Sequence, residues 1–260
     1  MPTVNIDGLR VSYRDAGLGI PIILLPGLTG SKEWFESQYR GLSNRYRVLS
    51  YDLRQAGRQN YTIEFLSEDL AKFLSALRIP SAVVAGHSFG GLIAQQFALS
   101  YPQRARSLLL ISSFPHLDIS ASNVLEWLSP GDVQIKSAAG SFLSRLLPWR
   151  RKEMMEQEGL AFLAAHTGAI TRATLNERLR IIREFDFREK LPELTMPALI
   201  IAGAKDRPQM LEAAQVLYEG IQDSTIEVIE GAGHFCFYER HDIFNDVVDS
   251  FLTERMASLG

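Results

Sequence analysis

Short apolar runs recur along the chain, and their length and flanking residues predict the buried strands of a parallel sheet. Six such runs are nearly continuous, as expected of strands that helices cover on both faces. They lie at 22–25, 47–51, 82–85, 108–111, 198–202 and 226–229. Ahead of them, two alternating runs are joined by Asp7-Gly8, a dipeptide that favours a type I′ turn. The chain is therefore predicted to open with an antiparallel hairpin.

Helical periodicity fills several connections between these runs. Between positions 63 and 77, apolar residues recur at spacings of three and four, and a weaker pattern of the same kind spans 92–99. Pro80 and Pro102 follow these two segments, where a helix must stop. Alternating strands and helices predict an α/β fold with a mostly parallel, doubly wound sheet and the antiparallel hairpin at one edge.

The segment from Phe114 to Leu191 interrupts this alternation. It has no β-like run, contains helical stretches such as T-L-N-E-R-L-R-I-I-R-E-F, and is long for one crossover. We therefore expect a core domain of residues 1–113 and 192–260, with residues 114–191 inserted as a helical cap; the alternative is two ordinary helices on the sheet. Part of an aromatic set in the cap is expected to line an apolar substrate pocket: Trp127, Phe142, Trp149 and Phe162.

Composition narrows the range of partners and compartments. The 260 residues include 27 Lys and Arg against 30 Asp and Glu, so no basic surplus favours nucleic acid or anionic lipid. The single cysteine, Cys236, excludes an internal disulfide and is expected to be a buried small apolar residue. The N-terminus lacks a signal-peptide pattern, and no apolar run reaches about 18 residues. We expect a cytoplasmic monomer or homodimer that binds neither nucleic acid nor membrane.

The stretch G-H-S-F-G-G carries the clearest chemical signal. It places Ser88 in a G-x-S-x-G motif between a predicted strand and a predicted helix, the context of a nucleophile elbow. A serine nucleophile needs a base and a group that orients the base. His234 follows the last predicted strand and Asp206 the one before it, so both lie at carboxyl ends of strands. Asp118 is a second position for the acid. With no paired histidines at helical spacing, no metal site is expected.

With these motifs the sequence resembles the α/β-hydrolase superfamily, in particular small capped hydrolases such as carboxylesterases, lactonases and carbon–carbon bond hydrolases. The resemblance implies that Ser88 is the nucleophile, His234 the general base and Asp206 the orienting carboxylate. It also implies an oxyanion hole formed by the backbone N–H groups of Leu28 and Phe89. No cofactor is implied.

The implied activity is hydrolysis of small to medium apolar carboxylic esters through an acyl-enzyme. The same triad also serves carbon–carbon bond hydrolases, lactonases and thioesterases. A non-catalytic ligand-binding protein can have the same fold, so all these alternatives stay open. A phosphate-binding loop is disfavoured, because Gly27 and Gly30 are three apart and Ser31 precedes Lys32, unlike G-x-x-x-x-G-K-[ST]. Pro26 stands where the family commonly has histidine.

Overall fold

One sheet organises the chain. The computed structural model describes residues 1–57, 60–118 and 165–257, and within them eight strands pair in the order β1-β2-β4-β3-β5-β6-β7-β8. The strands are β1 (Thr3–Ile6), β2 (Leu9–Ala16), β3 (Pro21–Leu25), β4 (Arg47–Tyr51), β5 (Ala82–His87), β6 (Ala105–Ile111), β7 (Ala198–Gly203) and β8 (Ser224–Ile229). The pairs β1–β2 and β2–β4 are antiparallel and the others parallel. The predicted fold class is confirmed.

Helices cover both faces of this sheet. They are α1 (Glu36–Leu42), α2 (Ile63–Ala76), α3 (Phe89–Ser100), α4 (Arg172–Glu184), α5 (Pro208–Gly220), α6 (Cys236–Glu239) and α7 (His241–Ala257), with 3-10 turns at Lys32–Phe35, Pro102–Arg104 and Arg188–Glu193. Apolar residues of α2, α3, α4 and α5 form one core cluster against the sheet. Residues of α1, α6 and α7 form a second cluster against the opposite face. Each face of the sheet therefore has its own core, as in doubly wound folds.

The opening hairpin has the predicted turn. Asp7 and Gly8 both have positive φ, at 50° and 81°, as a type I′ turn requires. The register pairs Ile6 with Leu9 across this two-residue turn. β2 then pairs with β4, which joins the hairpin to the parallel strands.

Five strands extend beyond the apolar runs that predicted them, and β5, β6 and β8 do so by two or three residues. β5 continues through Gly86 and His87, which pair with Leu110 and Ile111 of β6. β8 begins at Ser224, and its exposed positions reflect its place at the edge of the sheet. The longer β5 is important for the site, because it brings the chain to Ser88 directly at the end of a central strand.

The two described ends of the predicted cap lie side by side. His116 forms an isolated bridge with Asp186, and the N–H of Phe187 donates to the carbonyl of Pro115 at 2.8 Å. Helix α4 covers most of the predicted stretch 174–185 and packs Ile181 and Ile182 against the main core. Four aromatic residues predicted to line the pocket lie outside the described residues: Trp127, Phe142, Trp149 and Phe162. Across the described ranges, no helix has the length and hydropathy of a membrane span.

Candidate active site

Ser88 lies in a strained turn between β5 and α3. Its φ of 51° and ψ of −116° place a non-glycine residue in a sparsely populated region, a feature that clusters at functional sites. The flanking glycines make the turn possible: a Cβ on Gly86 would lie 2.3 Å from the carbonyl oxygen of Gly90, and a Cβ on Gly90 2.3 Å from that of Leu25. The predicted elbow geometry is therefore present around Ser88.

Three hydrogen bonds to the backbone of Ser88 hold this turn. The N–H of Ser88 donates to the carbonyl of Ile111 at 2.9 Å, and its own carbonyl accepts from the N–H of Gly91 at 2.8 Å. The hydroxyl of Ser113, a buried residue just beyond β6, donates to the same carbonyl at 3.0 Å. These bonds offset the cost of the unfavourable φ and fix the position from which the Ser88 side chain projects.

Asp206 and His234 meet at the carboxyl ends of the two neighbouring strands β7 and β8. Nδ1 of His234 lies 2.9 Å from Oδ2 of Asp206. Only 2% of the Asp206 side chain is exposed, against 19% of that of His234. Their loops are also joined directly, since the N–H of Lys205 donates to the carbonyl of Ala232 at 2.7 Å. The acid and the imidazole are thus held in one unit, with the imidazole on the more open side.

The surroundings of Asp206 favour its ionised form. Burial alone would raise the pKa of this carboxyl, but His234, the N–H of Arg207 at 2.8 Å from Oδ1, and the Ser112 hydroxyl together lower the pKa below its usual value. Ser112 itself has a positive φ of 42° at the end of β6. Asp206 is therefore a carboxylate that can accept a hydrogen bond from a protonated imidazole nitrogen.

The glycine turn after β3 lies directly against the elbow. A Cβ on Gly27 would lie 3.6 Å from Cβ of Ser88 and 2.9 Å from Nδ1 of His87. The turn is closed by a 3.2 Å hydrogen bond from the N–H of Gly30 to the carbonyl of Gly27. Leu28 is half-buried in this turn, and Phe89 is the first residue of α3. Both residues predicted to supply oxyanion donors are thus in segments next to Ser88.

The lysine of this turn has carboxylate partners of its own. Nζ of Lys32 lies 2.7 Å from Oδ2 of Asp52 and 3.6 Å from Glu33, in a largely buried position. A lysine neutralised in this way does not complete a phosphate cradle. Within the described ranges, no group of three or more His, Cys, Asp or Glu side chains is placed to hold a metal ion.

Sequence reasoning missed the contribution of Ser112 and Ser113. The signal was a pair of small polar residues directly after the apolar strand β6, at the same edge of the sheet as the other candidate residues. The alternative acid, Asp118, is exposed, whereas Asp206 is the carboxylate in contact with His234. Cys236 is fully buried, as predicted, and lies 3.9 Å from the Ser112 hydroxyl.

Comparison with known proteins agrees with the fold described above. Residues 22–247 match the model of a family described as the alpha/beta hydrolase family. A putative carbamate hydrolase RutD from Azorhizobium caulinodans is 29% identical over 98% of this chain and 99% of its own. A hydrolase from Pseudomonas aeruginosa PA01 has a TM-score of 0.79 at 25% identity, covering 96% of both chains. Est816, described as an N-acyl homoserine lactone degrading enzyme, has a TM-score of 0.73 at 25% identity, covering 96% and 100%.

Proposed function

The chain belongs to the alpha/beta hydrolase family, and on that premise we propose that it is a serine hydrolase acting through an acyl-enzyme intermediate. The observation that carries the proposal is the 2.9 Å contact between His234 and Asp206, beside an elbow that holds Ser88 at positive φ. Ser88, Asp206 and His234 follow β5, β7 and β8 at the same edge of the sheet, which supports their proposed roles as nucleophile, orienting acid and base.

The proton transfers follow from the tautomer of His234. Because the Asp206 carboxylate only accepts hydrogen bonds, Nδ1 of His234 carries the proton in their contact, so Nε2 of the neutral ring is unprotonated and can act as a base. Nε2 takes the proton of the Ser88 hydroxyl as Oγ bonds to the substrate carbonyl carbon. The imidazolium then returns this proton to the leaving group, whose bond to that carbon breaks. Water then bonds to the acyl carbon as Nε2 takes one of its protons. The bond from that carbon to Oγ breaks, and the imidazolium returns the proton to Oγ, which releases the acid and restores Ser88.

The N–H groups of Leu28 and Phe89 are proposed to stabilise the tetrahedral oxyanion. Two observations support this assignment: the glycine turn lies against Ser88, and Phe89 begins the helix that leaves the elbow. The positive end of the α3 dipole adds to the stabilisation of negative charge at this point.

We propose small to medium apolar carboxylic esters as the substrate class, including cyclic esters. Est816, at 25% identity over nearly the whole chain, is described as degrading an N-acyl homoserine lactone, a compound that contains a cyclic ester. Residues 114–191 are proposed to form a lid over the site. This is supported by the long connection between β6 and β7 and by the adjacency of its ends at Pro115 and Phe187.

A second candidate is hydrolysis of carbamates. It is favoured by the name of the relative from Azorhizobium caulinodans, which matches this chain over almost its full length. A carbamate carbonyl presents the same electrophilic carbon and the same developing oxyanion as an ester, so it requires no additional catalytic group. The two candidates differ in the substituent on the carbonyl carbon and therefore in the pocket.

The test is a substrate panel run on wild type, Ser88→Ala and the exposed Ser100→Ala as control. The panel holds p-nitrophenyl esters of increasing chain length, an N-acyl homoserine lactone, a carbamate ester, an acyl thioester and a ring-cleavage dienoate. We expect ester or lactone turnover in wild type and Ser100→Ala, and none in Ser88→Ala. Turnover retained in Ser88→Ala, or failure of a fluorophosphonate to label Ser88 in folded protein, would overturn the serine mechanism. Turnover of the carbamate or dienoate alone would reassign the substrate.

A further inference from the structure

A buried arginine lies on the apolar face of α4. Arg178 is only 2% exposed and shares its helix face with Thr174, Leu175, Ile181 and Ile182, all buried. A cation removed from water is costly unless its donors are satisfied. Within the described part of the chain no carboxylate pairs with Arg178, so something other than an ion pair keeps this charge in place.

The partners of Arg178 are oxygen atoms of the loops beneath α4. Its Nε donates to the Tyr61 hydroxyl oxygen at 3.1 Å, and its Nη1 donates to the carbonyl of Leu28. Nη2 reaches the carbonyl of Leu53 at 3.4 Å. Tyr61 in turn donates to the carbonyl of Arg54 at 2.8 Å. The guanidinium therefore links α4 to two loops at the carboxyl edge of the sheet, the turn after β3 and the connection from β4 to α2.

The same guanidinium contacts both residues proposed to form the oxyanion hole. It binds the carbonyl of Leu28, and its central carbon lies 5.6 Å from the centre of the Phe89 ring. The Leu28 side chain packs against Ile170 and Leu175, which also belong to the α4 region. Leu28 is thus held through its backbone and its side chain by one part of the chain.

Further bonds join the glycine turn to the segment just before α4. The N–H of Gly168 donates to the carbonyl of Thr29 at 3.0 Å, and the Ser31 hydroxyl donates to the carbonyl of His166 at 2.5 Å. Together with the Leu28–Arg178 bond, they tie three residues of the turn to residues 166–178. The turn is therefore supported by residues in the C-terminal part of the predicted cap.

We propose that Arg178 is a positioning residue for the oxyanion hole, an inference that rests on the proposed function. Arg178 binds the carbonyl of Leu28, and the N–H of Gly30 binds the carbonyl of Gly27. The peptide groups on both sides of the Leu28 Cα are therefore held in place. That fixes the direction of its N–H, which must meet the developing oxyanion within a few tenths of an ångström.

The experiment measures the rate at which a fluorophosphonate labels Ser88, because phosphonylation uses the oxyanion hole and needs no known substrate. Variants are R178Q, R178K and Y61F, with R183Q as the matched control, since Arg183 is an exposed arginine of the same helix. We expect labelling to slow on the order of tenfold to a hundredfold in R178Q, less in R178K and Y61F, and not in R183Q. With p-nitrophenyl esters the loss should be in kcat rather than KM.

The outcomes separate this inference from the proposed function. A wild type that is not labelled would overturn the proposed function and this inference with it. A labelled wild type with R178Q labelled at the same rate would overturn only the role of Arg178. Thermal unfolding of each variant checks that it is folded. If R178Q does not fold, R178K and Y61F test the role of Arg178 instead. If both then keep wild-type labelling rates and kcat, Arg178 is structural alone.

Discussion

Nε2 of His87 lies 3.0 Å from the carbonyl oxygen of His234, so the residue before the proposed nucleophile supports the loop of the proposed base. Because a carbonyl only accepts, Nε2 carries the proton of the neutral ring, and Nδ1 is buried without a partner within the described ranges. The ring packs between Trp34, Phe235 and Phe237. Burial, with a further contribution from His234, lowers the pKa of His87 to about 3. His87 is therefore a neutral packing residue and no second base.

This buried histidine should make the fold sensitive to acid. The unfolded chain takes up a proton on His87 near pH 6.5, whereas the folded protein does so only near 3. The stability contributed by the neutral ring is complete above pH 6.5 and is lost as the pH falls towards 3. We expect the free energy of unfolding to fall between pH 6.5 and 4.5 by up to about 2 kcal/mol more in wild type than in His87→Gln.

Urea denaturation at a series of pH values measures this difference, with His241→Gln, at an exposed histidine, as the control. The slopes of the free energy of unfolding against pH are compared rather than its absolute values, because His87→Gln also changes core packing. If the slope of His87→Gln equals that of wild type, the ring is not kept neutral by the fold.

The contact between Asp206 and His234 predicts a severe loss of activity in Asp206→Asn. The amide can donate where the carboxylate only accepts, which favours the wrong tautomer of His234 and removes the charge that stabilises the imidazolium. We expect kcat for a p-nitrophenyl ester to fall on the order of 10³-fold or more with the fold retained. Asp118→Asn, at the exposed alternative acid, should keep wild-type kcat. The reverse result would assign the acid to Asp118.

Loss of the Ser113 hydroxyl should affect both the stability of the protein and the activity of Ser88, and the two effects can be measured separately. Removing it in Ser113→Ala leaves the Ser88 carbonyl with its bond from Gly91, so we expect a destabilisation of only about 1 kcal/mol. Because Ser88 then has one restraint fewer, kcat should also fall several-fold. Ser107→Ala is the matched control: Ser107 is a buried serine of β6 whose hydroxyl donates to the neighbouring Arg106 carbonyl. It should lose similar stability and keep kcat; equal kcat in both variants would count against the elbow restraint.

Cys236 should be chemically inert in the folded protein. Its side chain is fully buried, and burial raises the pKa of the thiol to about 12, so almost no thiolate forms near neutral pH. We expect Ellman's reagent to react with one thiol per chain in urea and to react orders of magnitude more slowly without it. Rapid stoichiometric reaction of native protein would contradict the buried position. Cys236→Ala should retain ester turnover.

The sheet was predictable because buried parallel strands leave continuous apolar runs. Some strands are longer than their apolar runs because pairing with a neighbouring strand extends them. Gly86 and His87 have weak strand preference and are kept in β5 by pairing with β6. The alternating exposure of β8 likewise hid its first residues.

The proposed triad was predictable since G-x-S-x-G and the loops after β7 and β8 have local signatures. Ser113 and Arg178 do not, because their contacts lie with residues far away in the chain, Ser88 and Leu28. Arg178 does leave a trace, as one charged residue on an otherwise buried face of α4.

The bonds of Thr29 and Ser31 to Gly168 and His166 have a consequence for how such a protein can change over evolution. A shift of either residues 166–178 or the turn after β3 would break these hydrogen bonds. We therefore expect substitutions that move one segment to be accompanied by substitutions in the other. A deletion between 166 and 178 would disturb the turn after β3, although that turn lies more than a hundred residues away in the sequence.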